Sequence, residues 1–117
     1  MRSFMNIAQA LGDESRVRIL MALRGNELCV CQIIALFNLA PSTISKHLSI
    51  LHQAFLIEKS KRGRWIYYRR CESNSSRLCN QAFEWIDDTL LDDKTIIADQ
   101  AKLAKILAME PEELCKK

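Results

Sequence analysis

Two cysteines separated by one residue, Cys29 and Cys31, carry the clearest chemical signal in this sequence. Thiolates are soft ligands that suit ions such as As(III), Sb(III), Cd(II) and Pb(II). Asn26 can cap a helix that starts at Glu27, and a helix N-terminus lowers the pKa of a cysteine toward the thiolate that metals require. We therefore predict that both thiols lie at an exposed helix start and bind a soft ion. The alternative is that both are small core residues.

The spacing of this pair has a mechanical consequence. Residues two apart lie about 200° apart around a regular helix, so both thiols cannot face one ion while the first turn stays helical. Capture of an ion must therefore distort that turn. We interpret the pair as a ligand set that also acts as a hinge.

The other three cysteines give weaker signals. An odd total of five fits reduced thiols better than a disulfide framework. Cys115 is followed only by two lysines and could complete a three-thiolate site, from its own chain or from a partner's. For Cys71, which follows a basic segment, and for Cys79 we expect structural roles.

Two apolar runs frame a short break at residues 38–41 and predict a helix-turn-helix. Each run has the spacing of one buried helical face, and Pro41 suits the first turn of the second helix. The first run is Val30, Ile33, Ile34 and Phe37, and the second is Ile44, Leu48, Leu51 and Phe55.

The outer face of the second helix is small and rich in hydroxyl groups. Such a face can enter the major groove of double-stranded DNA and reach base edges and phosphates. A plain solvated helix face is the alternative. The candidate DNA-binding residues on this face and its flanks are Ser42, Thr43, Ser45, Lys46, His47 and Ser49.

A basic, β-prone segment follows at residues 56–70 and predicts a hairpin around Gly63. It carries six cations against one acid, whereas residues 84–99 carry six acids against one lysine. A hairpin directly after a recognition helix is typical of a winged helix, and Lys61, Arg62 and Arg64 at its tip could contact phosphates. A structural hairpin with incidental surface charge is the alternative.

Two amphipathic stretches close the chain and suggest a dimer. We predict that the helix at 78–91 packs against a second copy, together with a first helix at 3–11, because so much apolar surface does not suit a monomer. We expect residues 1–93 to form the DNA-binding and dimerisation domain and residues 94–117 a helical extension and tail. The predicted interface residues are Leu78, Ala82, Trp85, Ile86 and Leu90.

Composition limits the remaining classes of function. The 117 residues suffice for one domain, and no apolar run approaches the roughly 18 residues that span a bilayer. The first residues lack the apolar region of a signal peptide, so we expect a cytoplasmic protein without a membrane partner. No catalytic set of histidine, serine and carboxylate is evident, so we predict neither an enzyme nor an organic cofactor.

Three segments together resemble the ArsR/SmtB family of winged-helix repressors, over about residues 5 to 90. They are Glu-Leu-Cys-Val-Cys at 27–31, Ser-Thr-Ile-Ser-Lys-His-Leu-Ser-Ile-Leu-His at 42–52 and Lys-Arg-Gly-Arg-Trp-Ile-Tyr-Tyr at 61–68. The first looks like the arsenic-sensing branch. The resemblance implies a mainly α fold with a β-hairpin wing, and a homodimer that leaves its operator DNA when As(III) or a similar thiophilic ion binds.

Two positions depart from the pattern of that family. The arsenic-sensing branch has a third cysteine three residues after the second, where this chain has Ile34, and the usual Ala-Gly-Leu after the recognition helix contains Phe55 in place of glycine. The zinc-sensing branch of the family uses Asp and His on the dimer helix, and the only histidines of this chain are His47 and His52. A regulator of the same fold that answers to thiol oxidation, and a protein–protein adaptor, are the competing hypotheses.

Overall fold

The computed structural model describes residues 1–71 and 76–115, except for the side chain of Cys115. It is mainly helical with one small sheet, which confirms the predicted fold class. The elements in chain order are α1 (Arg2–Ala10), α2 (Glu14–Ala22), β1 (Leu28–Cys29), α3 (Val30–Phe37), α4 (Pro41–Gln53), β2 (Ile57–Arg62), β3 (Trp65–Arg70), α5 (Arg77–Leu90), α6 (Lys94–Leu107) and α7 (Pro111–Cys115).

One apolar core joins the helices and the sheet. Helix α2 begins where predicted, because the Asp13 carboxylate accepts hydrogen bonds from the backbone of Ser15 at 2.8 Å and of Arg16 at 3.2 Å. The predicted inward faces of α3 and α4 supply Ile33, Ile44, Leu48 and Leu51 to the core. The sequence pattern therefore orients the helix-turn-helix correctly.

The sheet has three antiparallel strands in the order β1, β3, β2. The predicted hairpin is confirmed, with Gly63 at its turn in the left-handed region at φ 60°. Strand β1, which was not predicted from the sequence, pairs with β3 as the third strand of this sheet. The prediction of a helix from Glu27 is wrong, since α3 begins at Val30 and the Asn26 side chain donates to the carbonyl of Ala22 at 3.0 Å instead of capping a helix.

Helix α6 packs on α2 and α3, and a partly buried ion pair connects it to α2. The Arg18 guanidinium donates from Nε and Nη2 to the two carboxylate oxygens of Asp99, both at 2.8 Å. Arg18 also lies over the Phe37 ring, 5.1 Å from its centroid. The segment that we expected to be an extension is thus fastened to the helix-turn-helix.

Within the described residues, no helix combines the length and the apolar character that a membrane crossing requires.

Candidate thiol site and nucleic-acid interface

Cys29 lies at the junction of the sheet and the helix-turn-helix. It is the last residue of β1 and the N-cap of α3, and its backbone N–H donates to Oε1 of Gln32 at 2.8 Å. Across the sheet it pairs with Tyr67 of β3. Cys29 is 1% exposed, so the prediction of an exposed helix start is wrong for this thiol. The segment is buried because β1 joins the wing sheet before the chain turns into α3.

Cys31 differs from Cys29 in burial and in redox state. It is half-buried in the first turn of α3 and is disulfide-bonded, whereas Cys29, Cys71 and Cys79 are free thiols. Helix α7, which ends at Cys115, packs against α3, although the Cys115 side chain lies outside the described residues. Among the side chains at 1–71 and 76–114, no three of His, Cys, Asp and Glu are arranged to hold a metal ion.

The outer face of α4 has the exposure expected of a recognition helix. Of the six candidates, five are exposed, and His47 on the flank is half-buried. Pro41 occupies the first turn, where no amide donor is required. The exposed residues are Ser42, Thr43, Ser45, Lys46 and Ser49.

Arg16, which sequence reasoning missed, connects three elements beside this face. Its guanidinium donates to the carbonyls of Ala10 at 2.9 Å and Gln9 at 3.1 Å, and Nη1 lies 3.4 Å from Nδ1 of His47. Burial acts to raise the pKa of Asp13, but the Arg16 backbone N–H and the nearby positive charges outweigh it, and the net pKa is lowered. Arg16 therefore fixes α4 relative to α1 and α2.

The tip of the wing is basic and exposed, but two of its arginines have acidic partners. Nη2 of Arg62 lies 2.5 Å from Glu27, and its guanidinium stacks over Tyr67 at 4.9 Å. Nη2 of Arg64 lies 3.9 Å from Glu112 of α7. The first pair joins the wing directly to the segment that precedes Cys29, and the second joins it to α7.

Arg70, counted among the basic residues of this segment, has a structural role. Its Nε donates to the carbonyl of Leu20 at 2.8 Å, and Nη1 and Nη2 donate to the carboxylate of Asp87, both at 2.9 Å. The guanidinium also lies over the Phe83 ring at 4.7 Å. Arg70 therefore attaches β3 to α2 and α5 and does not belong to the surface that could attract phosphates.

Phe55 follows the end of α4 in an unusual backbone conformation. The prediction that it lies on the core face of α4 is wrong, because it is 74% exposed and follows the helix with φ 60°. The chain thus keeps the left-handed turn that a glycine would favour. Its carbonyl accepts hydrogen bonds from Sγ of Cys71 at 2.7 Å and of Cys79 at 3.3 Å.

The face predicted to form a dimer interface is partly turned inward. Ala82 and Ile86 lie in the core of their own chain, and Leu78 and Leu90 pack against that core. Trp85 is 67% exposed, and Phe4 on α1 is also exposed. Of the five predicted interface residues, Trp85 has the most free apolar surface.

Comparison with known proteins finds similarity to bacterial regulatory proteins of the arsR type. Residues 13–59 match the model of the arsR family of bacterial regulatory proteins. The chain is 31% identical over 108 residues to the arsenic resistance transcriptional regulator ArsR2 of Pseudomonas putida, covering 91% of this chain and 90% of ArsR2. It is 32% identical to ArsR1 of the same organism, covering 72% of this chain and 60% of ArsR1. The chain therefore spans nearly all of one relative but only about three fifths of the other.

Solved structures share the fold. HlyU of Vibrio cholerae matches with a TM-score of 0.67 at 22% identity, covering 78% of this chain and 95% of HlyU. The homodimeric winged helix-turn-helix DNA-binding domain of Mb0332 from Mycobacterium bovis matches with a TM-score of 0.63 at 26% identity, covering 76% of this chain and 82% of that domain. The arrangement of α4 and the wing is therefore that of a winged helix-turn-helix.

Proposed function

Because this chain belongs to the ArsR family of bacterial regulatory proteins, we propose that it is a homodimeric repressor that leaves its operator DNA when As(III) binds Cys29 and Cys31. The names of its relatives in Pseudomonas putida support a metalloid inducer. Sb(III), Cd(II) and Pb(II) share the soft character that thiolates prefer.

The position of Cys29 is the observation that carries this proposal. Its strand is hydrogen-bonded to β3 of the wing, and the next residue begins α3, which packs on the recognition helix α4. A ligand that moves Cys29 would therefore move both elements that could contact DNA. The ion pair between Arg62 and Glu27 adds a second link between this segment and the wing.

Capture of an ion requires a local rearrangement. Cys29 precedes the helix, is buried, and has its backbone N–H held by Gln32. Bringing its sulfur to an ion shared with Cys31 would break this cap and disturb the β1 pairing. Shifting a protein from mostly bound to mostly free on DNA needs a difference of about 5 kcal/mol in affinity between the two states. Two or three metal–thiolate bonds can supply that difference.

The surface of α4 and the wing supports the DNA-binding part. Hydroxyl groups and Lys46 line the exposed face of α4, with Lys61, Arg62 and Arg64 at the wing tip. A hydroxyl-rich helix can fit the major groove while the wing cations neutralise phosphates outside it. Acids pair with two of the wing arginines in the free protein, so DNA would compete with Glu27 and Glu112 for them.

The third ligand of the ion is part of the proposal. Ile34 occupies the position where the arsenic-sensing branch has its third cysteine. Helix α7 packs against α3 and ends at Cys115, which makes this residue the best candidate within the chain. The same residue of a second copy is the other source.

Titration of reduced protein on DNA tests the function. An operator is first selected from a random duplex pool, and labelled operator is then followed by fluorescence anisotropy with As(III), Sb(III), Cd(II) and Zn(II) added separately. We expect As(III) and Sb(III) to release the DNA and Zn(II) to leave it bound. Failure to select any preferred duplex would contradict the repressor, and operator that stays bound with every soft ion would contradict the inducer.

A response to thiol oxidation is the second candidate, and the disulfide at Cys31 favours it. Oxidation of Cys31 in the first turn of α3 would act on the same junction as ion binding. Adding peroxide as one further condition of the titration distinguishes the oxidation response from the metalloid response. Release by peroxide and recovery of binding with a reducing agent, without release by As(III), would establish the oxidation response in place of the metalloid response.

A further inference from the structure

A second pair of thiols lies at the end of the recognition helix, apart from Cys29 and Cys31. Cys71 follows β3 and Cys79 lies in the first turn of α5, and both sulfurs donate to the carbonyl oxygen of Phe55, at 2.7 Å and 3.3 Å. Because both sulfur atoms contact the same oxygen, the distance between them cannot exceed the sum of these two hydrogen-bond lengths. Neither thiol is in a disulfide.

A surface cleft gives access to the pair. It has a volume of about 310 Å³ and is lined by Cys71, Cys79, Phe55, Glu58 and the Ile7 side chain of α1. Cys71 is half-buried at its edge, and Cys79 is 2% exposed. A ligand with an apolar group therefore finds two thiols and apolar side chains in one place.

Burial also affects the chemistry of the Cys71 thiol. Burial, helped by the neighbouring Cys79 and Glu58, raises the pKa of the Cys71 thiol to about 11, so removing its proton costs more than for an ordinary thiol. Divalent metals need cysteine ligands that have lost their protons. Trivalent arsenic is different, because an arsenic–oxygen group condenses with neutral thiols and the thiol protons leave in water.

We propose that Cys71 and Cys79 form a dithiol site for a trivalent arsenical that carries one organic substituent. Such an arsenical has two exchangeable positions, which two thiols fill completely. In the oxide form of the arsenical, two arsenic–sulfur bonds form, the arsenic–oxygen double bond and both S–H bonds break, and the oxygen leaves as water with both thiol protons. Arsenic remains As(III), and no oxidant or reductant is consumed. The site is independent of the inducer site at Cys29 and Cys31.

Binding at this site would act on the exit from the recognition helix. Both thiols lose the hydrogen that they donate to the Phe55 carbonyl. Phe55 holds the left-handed turn between α4 and β2, and the backbone N–H of Cys71 also donates to the neighbouring carbonyl of Leu56 at 3.1 Å. A covalent bridge between Cys71 and Cys79 would therefore loosen the turn that fixes the recognition helix relative to the wing.

The test uses the full chain with Cys29, Cys31 and Cys115 all replaced by serine, so that only this pair remains. Reduced protein is mixed with phenylarsine oxide, excess glutathione is added to remove arsenic held by a single thiol, and the intact mass is measured. We expect one phenylarsenic group per protomer, so the measured mass should equal that of the protein plus one phenylarsine oxide minus one water. Adding Cys71→Ser should abolish the retained adduct, and Cys79→Ala should do the same.

Circular dichroism of each variant establishes that it is folded. The Cys71→Ser variant carries the test, because its side chain is only half-buried, whereas Cys79 lies in the core. No retained adduct on the triple-serine protein would overturn the proposal, as would an adduct that survives Cys71→Ser. A disulfide between the two cysteines after mild peroxide, with no arsenical retained, would identify a redox pair instead. DNA and the Cys29 site play no part in this measurement, so its failure is distinct from failure of the proposed function.

Discussion

Cys29 lies opposite Tyr67 across strands β1 and β3, so the candidate thiol site and the wing share one sheet. Arg62 of the wing stacks on the same Tyr67 ring and pairs with Glu27, two residues before Cys29. The route from the candidate thiol site to the wing tip is therefore short, and it consists of strand pairing and one ion pair. Movement of Cys29 does not need a long chain of side-chain shifts to reach the wing.

Removing the wing arginines should weaken the salt dependence of DNA binding. In the variant with Arg62→Ala and Arg64→Ala, the slope of log affinity against log salt concentration should flatten by about 0.9 for each phosphate that the wing no longer neutralises. Fluorescence anisotropy over a series of salt concentrations measures it. Lys102→Ala, which removes one exposed cation from α6, is the control and should leave the slope nearly unchanged. Equal slopes for the wing variant and the unaltered protein would mean that the wing does not touch DNA.

We expect the proposed dimer to depend on Trp85. A charge introduced by Trp85→Glu would have to be buried without a partner in the interface, so we expect monomers in sedimentation velocity. Ile97→Glu is a matched control, since Ile97 is an exposed apolar residue on α6. A Trp85→Glu protein that sediments as an intact dimer would place the interface elsewhere.

Much of this fold can be predicted from local patterns. The cap at Asp13, the proline at the start of α4, the faces of α3 and α4 and the hairpin around Gly63 all depend on residues close in sequence. Strand β1 could not be predicted because two residues, Leu28 and Cys29, give no alternation, and its partner β3 lies almost 40 residues away. The error over the start of α3 follows directly from the missing strand.

The candidate site was only partly predictable for the same reason. Residue type and spacing single out Cys29 and Cys31 and the outer face of α4, but not burial of Cys29 or the acids that pair with Arg62 and Arg64. The sequence did not indicate that Arg16 contacts His47 and connects α4 to α1 and α2, because an arginine on an amphipathic helix is common. The shared acceptor of Cys71 and Cys79 is a backbone carbonyl, which a sequence does not locate.

Phe55→Gly should increase the stability of the protein. An L-residue in the left-handed region is strained, and the exposed Phe55 side chain contributes little packing in return. Glycine should therefore gain about 1 kcal/mol in the free energy of unfolding, measured by denaturation with urea. Asn38→Gly is the control, because Asn38 also has a positive φ of 53° but asparagine tolerates that region. A loss of stability in Phe55→Gly would show that the aromatic ring holds the turn.

Breaking the pair between Arg18 and Asp99 should destabilise the whole fold. Asp99→Asn leaves the Arg18 charge without its bidentate partner, and we expect a loss of about 2 to 3 kcal/mol, reduced from a fully buried pair because the Arg18 side chain is 29% exposed. Glu58→Gln breaks the more exposed pair with Arg69 and should cost under about 1 kcal/mol. Similar small losses in both variants would mean that α6 is not fastened by this pair.

The most direct measurement is the response of operator-bound protein to As(III) when the two thiols are replaced. Cys29→Ser, Cys31→Ser and the double variant are each bound, reduced, to labelled operator, and fluorescence anisotropy follows the addition of As(III). Serine can sit at a helix start but is a poor ligand for a soft ion, so each variant should bind DNA as before and fail to release it. Cys115→Ser, measured alongside, should also fail to release if that residue supplies the third thiolate. A double variant that binds operator and still releases it normally with As(III) would contradict a sensor at Cys29 and Cys31.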